Sequence, residues 1–193
     1  TDQGSADGAP GTARFYNPIA VTADSTGVRY VVDWVPNNIR KIDLSDVTST
    51  LAGSTAASTV STDGLGAAAV FALPYSLAVD SNDYLYTADR TTRTLRTISP
   101  AGQVTTIGLG IGLRDPIGVE VHPTTGDVYI ADTGNHRVVR YSAASKALTV
   151  VLGISGAAGE SFSRLRSEAG DTVSLCLPSD VAVCGDHDDR QVF

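Results

Sequence analysis

From Asp115 to Tyr141 the chain reads D-P-I-G-V-E-V-H-P-T-T-G-D-V-Y-I-A-D-T-G-N-H-R-V-V-R-Y. Two apolar runs flank a polar turn, an acid closes the second run, and a third run follows a second turn. The same order occurs twice upstream. Asn17 opens N-P-I-A-V-T-A-D, followed by V-R-Y-V-V-D and I-R-K-I-D. Leu73 opens L-P-Y-S-L-A-V-D, followed by Y-L-Y-T-A-D and L-R-T-I. Leu177 begins a fourth copy, L-P-S-D-V-A-V-C. Pro18 to Asp33 and Pro74 to Asp89 each span 15 positions, and Pro116 to Asp132 spans 16. A repeat of this kind decides the architecture before any single residue does.

Each unit reads as four short strands. Apolar and polar residues alternate, β-branched residues and tyrosines are frequent, and Gly, Asn, Asp or Pro punctuates the runs. Ser25-Thr26-Gly27, Ser81-Asn82-Asp83 and Thr124-Thr125-Gly126 stand where hairpin turns are required. Four antiparallel strands per repeat make the blade of a β-propeller, so the expected fold is all-β. The blades are expected at residues 15–53, 71–110 and 113–153, with the start of a fourth at 175–193. Residues 1–14, 54–70 and 154–174 then read as interblade linkers, and Ala67 to Ala69 as loop. Three units and part of a fourth fall short of the about four to eight blades that close a propeller. The expectation is a segment of a longer propeller, with self-association as the other route to closure.

The run Ala131-Asp132-Thr133-Gly134-Asn135-His136-Arg137-Val138 resembles the NHL repeat. The L-P-x-x-V-A-V pattern is similar to that family too. So is the linker pattern that runs from Asp7-Gly8 to Phe15 and from Asp63-Gly64 to Phe71. The resemblance implies a propeller that is commonly six-bladed. Its members serve as protein- or RNA-binding platforms, as extracellular domains, and in some cases as lyases or lactonases. It also implies that Asp132 and Arg137 form a clamp between strands. Asp33 and Asp89 keep the acid, while Asn38 and Thr94 replace the arginine at the matching position. Residues that recur in every blade read as structural rather than catalytic.

The formal net charge is −7. Lys41 and Lys146 are the only lysines. This balance argues against non-specific nucleic-acid binding, which rests on neutralising phosphates. No apolar run approaches the about 18 residues of a membrane span. The scarcity of lysine, beside abundant Ala, Gly, Ser and Thr, suggests an extracellular or lumenal surface. Cys176 and Cys184 are the only cysteines. If a strand joins them they lie about 26 Å apart, far beyond the about 7 Å a disulfide allows. They are therefore not expected to pair with each other.

No catalytic set can be assigned. Gly108-Leu109-Gly110-Ile111-Gly112 has no helix after it and lacks the anion-binding end of a nucleotide loop. His122 and His187 fall in first–second turns and His136 in a second–third turn. Strands put those turns about 17–20 Å apart, so the three cannot share a zinc ion. No metal and no cofactor are expected. The face carrying the second–third turns is the better binding candidate, because loops on a rigid scaffold carry recognition and Trp and Arg dominate interfaces. Its candidate residues are Trp34, Arg90, His136, Phe162, Arg164 and Arg166. The expected function is a non-catalytic scaffold or protein-interaction module of a larger secreted protein. The alternatives are an amidating-lyase-like or lactonase-like enzyme completed by other blades, and an RNA-binding platform.

Overall fold

The computed structural model describes residues 4–54, 58–107, 110–152, 165–166, 172–174 and 182–184. They form an all-β chain of antiparallel sheets. The first sheet runs β1 (Pro18–Ala23), β2 (Arg29–Asp33), β3 (Asn38–Ile42) and β4 (Thr48–Ala52), in that spatial order. The second joins β5 (Gly64–Leu65), β6 (Ala78–Val79), β7 (Leu85–Asp89), β8 (Thr94–Ile98) and β9 (Gln103–Ile107) in the order β5-β9-β8-β7-β6. The third holds β10 (Pro116–Val121), β11 (Val128–Asp132), β12 (Arg137–Tyr141) and β13 (Leu148–Leu152). A last small sheet pairs β14 (Leu165–Arg166), β15 (Thr172–Ser174) and β16 (Ala182–Cys184). Each of the first three sheets contains a four-stranded meander, which is the propeller blade read from the repeat.

Alternation along the strands gives each blade two apolar faces, and the core lies between blades rather than within one. Tyr30, Val32, Ile39 and Ala52 of blade 1 pack on Phe71, Leu77, Leu85, Ile98 and Val104 of blade 2. Tyr86, Ala88 and Leu95 of blade 2 pack on Leu113, Val119, Val128, Ile130, Val139 and Tyr141 of blade 3. The giving side therefore repeats as Tyr, a small or branched residue, then Ile or Leu. The receiving side is larger and more aliphatic. The first strands touch one another across blades, β1 with β6, β6 with β10 and β10 with β16, so they form the inner wall. Burying one such side chain stabilises by about 1.5–3 kcal/mol.

Two linkers differ from the expectation. Residues 54–70 read as linker in the sequence, yet Gly64–Leu65 adds a fifth strand to the outer edge of blade 2, and Gly66–Ala68 forms a single 3-10 turn. Asp63 fixes this edge, accepting from Thr106 N and Thr106 Oγ1 of β9. Within residues 154–174, Leu165–Arg166 and Thr172–Ser174 pair as strands instead of forming linker. Thr172 to Ser174 in turn pairs with β16, the V-A-V-C run of the fourth copy. The β-branched Thr172 and Val173 suit an extended pairing. Cys176 lies outside the described residues, so the expected lack of a Cys176–Cys184 bridge does too. Among the described residues no helix is long and apolar enough to cross a membrane.

Candidate functional site

The acid that ends each second strand is wholly buried in all three blades: Asp33, Asp89 and Asp132 are each 0% exposed. Tyr16 N and Asn17 N donate to Asp33, the latter at 2.7 Å. Ala72 N and Leu73 N donate to Asp89 at 2.8 and 3.1 Å. Arg114 N donates to Asp132 at 2.6 Å. The carboxylate thus ties the entry of the first strand to the end of the second, which repeats once per blade. This is the arrangement of a fold residue, since a buried carboxylate needs such partners.

The guanidinium that completes each clamp comes from two different places. In blade 3, Arg137 Nε donates to Asp132 at 2.6 Å, and Arg137 Nη2 reaches Ile111 O at 2.6 Å. In blades 1 and 2 the matching residues, Asn38 and Thr94, cannot do this. Arg40 and Arg96, two residues further along the third strand, do it instead. Both are 0% exposed. Arg40 lies 3.6 Å from Asp33 and Arg96 lies 3.9 Å from Asp89. Arg40 Nη2 also donates to Asp7 at 2.7 Å, and Arg96 Nη2 to Asp63 at 2.9 Å. Each guanidinium lies over a ring, Phe15 at 5.0 Å and Phe71 at 5.3 Å. The D-G…F pattern is therefore the cradle of a buried arginine. Blade 3 has Leu113 and Val139 at the positions of Phe71 and Arg96, and no such cradle. Sequence reading finds the acids and Arg137 but misses Arg40 and Arg96. The signal present in the chain is the joint occurrence of Arg, Phe and Asp-Gly in the first two repeats only.

Asp7 and Asp63 sit at the rim of these cradles. Partial burial works to raise their pKa values, but hydrogen bonds from Thr50 and Arg40 to Asp7, and from Thr106 and Arg96 to Asp63, outweigh it and hold both below the usual carboxylate range. The first–second turns are capped in a similar way. Asp24 accepts from Thr26 N, Val28 N and Tyr30 Oη, and Asp80 accepts from Asn82 N, Tyr84 N and Tyr86 Oη. Burial, with Asp24 beside it, pushes the Tyr30 hydroxyl up to about 12. Tyr86 moves in the same direction, through burial and then Asp80. In blade 3, His122 takes the place of the aspartate. It is 1% exposed, and its Nδ1 accepts from Thr124 N and Thr125 N, each at 3.2 Å.

The second–third turns carry the residues singled out for binding. Trp34, Arg90 and Thr133 occupy one position in three blades, directly after the clamp acid. Trp34 is 39% exposed, and Tyr16 beside it is 45% exposed. Arg90 Nε donates to Asp115 at 3.2 Å across the blade 2–blade 3 junction, with its guanidinium over Tyr75. His136 is left-handed at φ 54°, as are Asn37 at 69° and Arg93 at 60°, one per turn. Its role in the fold is to close that turn. Phe162 and Arg164 lie outside the described residues, and Arg166 falls in β14 opposite Thr172. A groove of about 560 Å³ runs beside the blade 2 turn, lined by Ser61, Thr62, Asp63, Thr92, Thr94 and Thr106. Ser61 Oγ donates to Thr92 Oγ1 there at 3.0 Å.

Blade 1 also keeps an open apolar face. A groove of about 370 Å³ is lined by Phe15, Ile19, Ala20, Val21, Val31 and Ile42, with Pro18 at its end. Val21 is 68% exposed, whereas its counterparts Leu77 and Val119 are 8% and 4% exposed under the preceding blade. Ile42 matches Ile98 and Tyr141, which are likewise buried.

Comparison with known proteins agrees with this geometry. Residues 113–141 match the NHL repeat. No curated protein matches this chain. Among solved structures, virginiamycin B lyase from Staphylococcus aureus is similar at TM-score 0.56 and 14% identity, over 93% of this chain and 58% of that one. An auxiliary nutrient binding protein from Bacteroides ovatus is similar at TM-score 0.63 and 13% identity, over 97% of this chain and 47% of that one. A nidogen/laminin complex gives TM-score 0.55 at 16% identity, over 71% of this chain and 50% of that one. The chain thus spans about half the length of these neighbours. The matched NHL repeat lies in blade 3, at residues 113–141, and the four-stranded meanders are propeller blades: the fold of this chain is that of a β-propeller.

Proposed function

We propose that this chain is a non-catalytic scaffold or protein-interaction module of a larger secreted protein, extended through its blade 1 face by a further propeller blade. The observation that carries this reading is the open groove at Phe15, Val21, Val31 and Ile42. The same positions are buried by a neighbouring blade at both described junctions. An exposed apolar surface of this kind marks an association site. The partner is a blade presenting tyrosine, a small or branched residue and Ile or Leu, and the same longer polypeptide is its expected source.

The rival reading is an enzyme, since a lyase shares the fold. Against it, the recurring acids Asp33, Asp89 and Asp132 and the buried His122 are engaged in holding turns and strands. Fold alone does not assign chemistry. Two measurements decide. A copy of residues 58–107 fused ahead of the chain should protect the amides of Val21, Val31 and Ile42 from hydrogen exchange, and Val21→Glu should abolish the protection. Unchanged exchange would remove the blade-docking reading, and a wild-type dimer broken by Val21→Glu would replace the fused blade with a second copy. Turnover of quinupristin or of simple lactones by the purified chain would establish the enzyme reading instead.

A further inference from the structure

The charges of this acidic protein are sorted between its two ends. In the second–third turns and first-strand entries stand Arg14, Arg90, Arg93, Arg114 and Arg137. Among the described residues the acids at this end that are not buried are Asp115, paired with Arg90, and Asp7 and Asp63 at the cradle rims, paired with the buried Arg40 and Arg96. The first–second and third–fourth turns at the other end carry Asp24, Asp43, Asp46, Asp80, Asp83 and Asp127, against Arg29 and Lys146. A net charge of −7 thus hides a basic end.

The basic end is also where aromatic residues are exposed, and its parts are rigidly joined. Tyr16 and Trp34 flank Asp33, with Tyr16 N bonded to that carboxylate and Trp34 N donating to Asn17 O at 2.9 Å. Asn37 Nδ2 crosses to Ala72 O of blade 2 at 2.9 Å. Arg90 crosses to Asp115 of blade 3, and Gly134 N donates to Arg114 O at 2.8 Å. Gly134 is needed there, because a Cβ would stand 2.7 Å from Arg114 O and 2.8 Å from Arg114 Cγ. The row therefore runs from an aromatic pair on blade 1, past the internally paired Arg90, to Arg114 on blade 3. Arg93 and Arg114 are exposed and have no ion pair among the described residues.

From this arrangement we propose that the second–third turn end binds an acidic peptide segment, laying an apolar or aromatic side chain on Tyr16 and Trp34 and carboxylates on Arg93 and Arg114. Guanidinium and carboxylate match in geometry and charge, and Trp, Tyr and Arg are the residue types that anchor interfaces. The proposal rests on the interaction-module reading and names its partner class. A nucleic-acid strand fits less well. Its phosphates are continuous, and Asp115, 52% exposed at its side chain, interrupts the row. A peptide can space its carboxylates around that point.

Trp34 is the only tryptophan, so its emission reports the site directly. The probe is a fluorescein-labelled peptide of Asp and Glu with one central Phe, titrated into the full chain at low salt. Saturable anisotropy with a parallel change in Trp34 emission is expected. Arg114→Glu, which keeps the Cγ that packs on Gly134, should weaken binding at least about tenfold, equivalent to 1.4 kcal/mol. Arg93→Glu should do likewise, while Lys146→Glu at the opposite end should change nothing. Circular dichroism checks that each variant is folded. No binding, or binding indifferent to both arginine changes, overturns the proposal. Equal or tighter binding of an oligouridine RNA overturns it in favour of a nucleic acid. Failure of the peptide leaves the turnover assay untouched, so the two readings fall separately.

Discussion

Blades 2 and 3 solve one problem in two ways. Both bury an aspartate at the end of the second strand, and both bring it a guanidinium from the third. Blade 3 sends Arg137 from the strand's first residue, in direct contact at 2.6 Å. Blade 2 sends Arg96 from two residues later, at 3.9 Å, cradled by Phe71, Val70 O, Thr62 O and Asp63. Blade 1 follows blade 2 through Arg40, Phe15 and Asp7. A side-chain period of two keeps both arginine positions on one face of the strand. What the fold demands is a positive group within reach of a buried carboxylate, not one sequence position for it. The long linker with its Asp-Gly belongs to the second solution, and the short approach through Ile111 and Gly112 to the first.

The comparison breaks most sharply at the buried arginine. Arg96→Ala leaves Asp89 buried without its partner and should cost about 3–5 kcal/mol in urea unfolding. If blade 2 can be rewired as blade 3, Thr94→Arg with Arg96→Val should recover a measurable part of that loss. No recovery would mean that the linker, not the guanidinium, sets the clamp. Phe71→Leu, which copies Leu113, removes the ring under Arg96 and should cost about 1–2 kcal/mol. Tyr86→Phe removes a hydrogen bond to Asp80 and should cost about 0.5–1.5 kcal/mol by the same melts.

The smallest effects are in pH. Asp7 and Asp63 have lowered pKa values in the folded chain. Their stabilisation is therefore present above the unfolded value of about 4 and is lost as pH falls through the folded one. Asp7→Asn with Asp63→Asn should flatten the acid limb of a stability–pH curve, and an unchanged limb would assign it to other groups. Tyr30 moves oppositely: its hydroxyl is raised to about 12, so its contribution is full below about pH 10 and fades as pH climbs to that value. Tyr30→Phe should remove that fading.

Much of this is legible in the chain's own pattern. The repeat sets the strand order, and the recurrence of Asp33, Asp89 and Asp132 marks them as fold residues. Trp34, Arg90 and His136 fall at second–third turns, which their strand neighbours set by local pattern. Arg40 and Arg96 are not legible as clamp partners, because their ligands lie 26 to 34 residues away along the chain. The turn that holds His122 can be read locally, but the burial of its side chain cannot, because the local pattern marks it only as a turn residue. The strand at Gly64–Leu65 escapes sequence reading because glycine carries no strand signal, and its pairing comes from Asp63 holding β9.

The sequence by itself determined the blade, since alternation and turn residues act over a few positions and the repeat states them three times. The tertiary structure decided which arginine guards which aspartate, which apolar face stays open and which end of the molecule is basic. Those outcomes depend on what distant segments bring together, and burial and charge are properties of that assembly rather than of any stretch of chain.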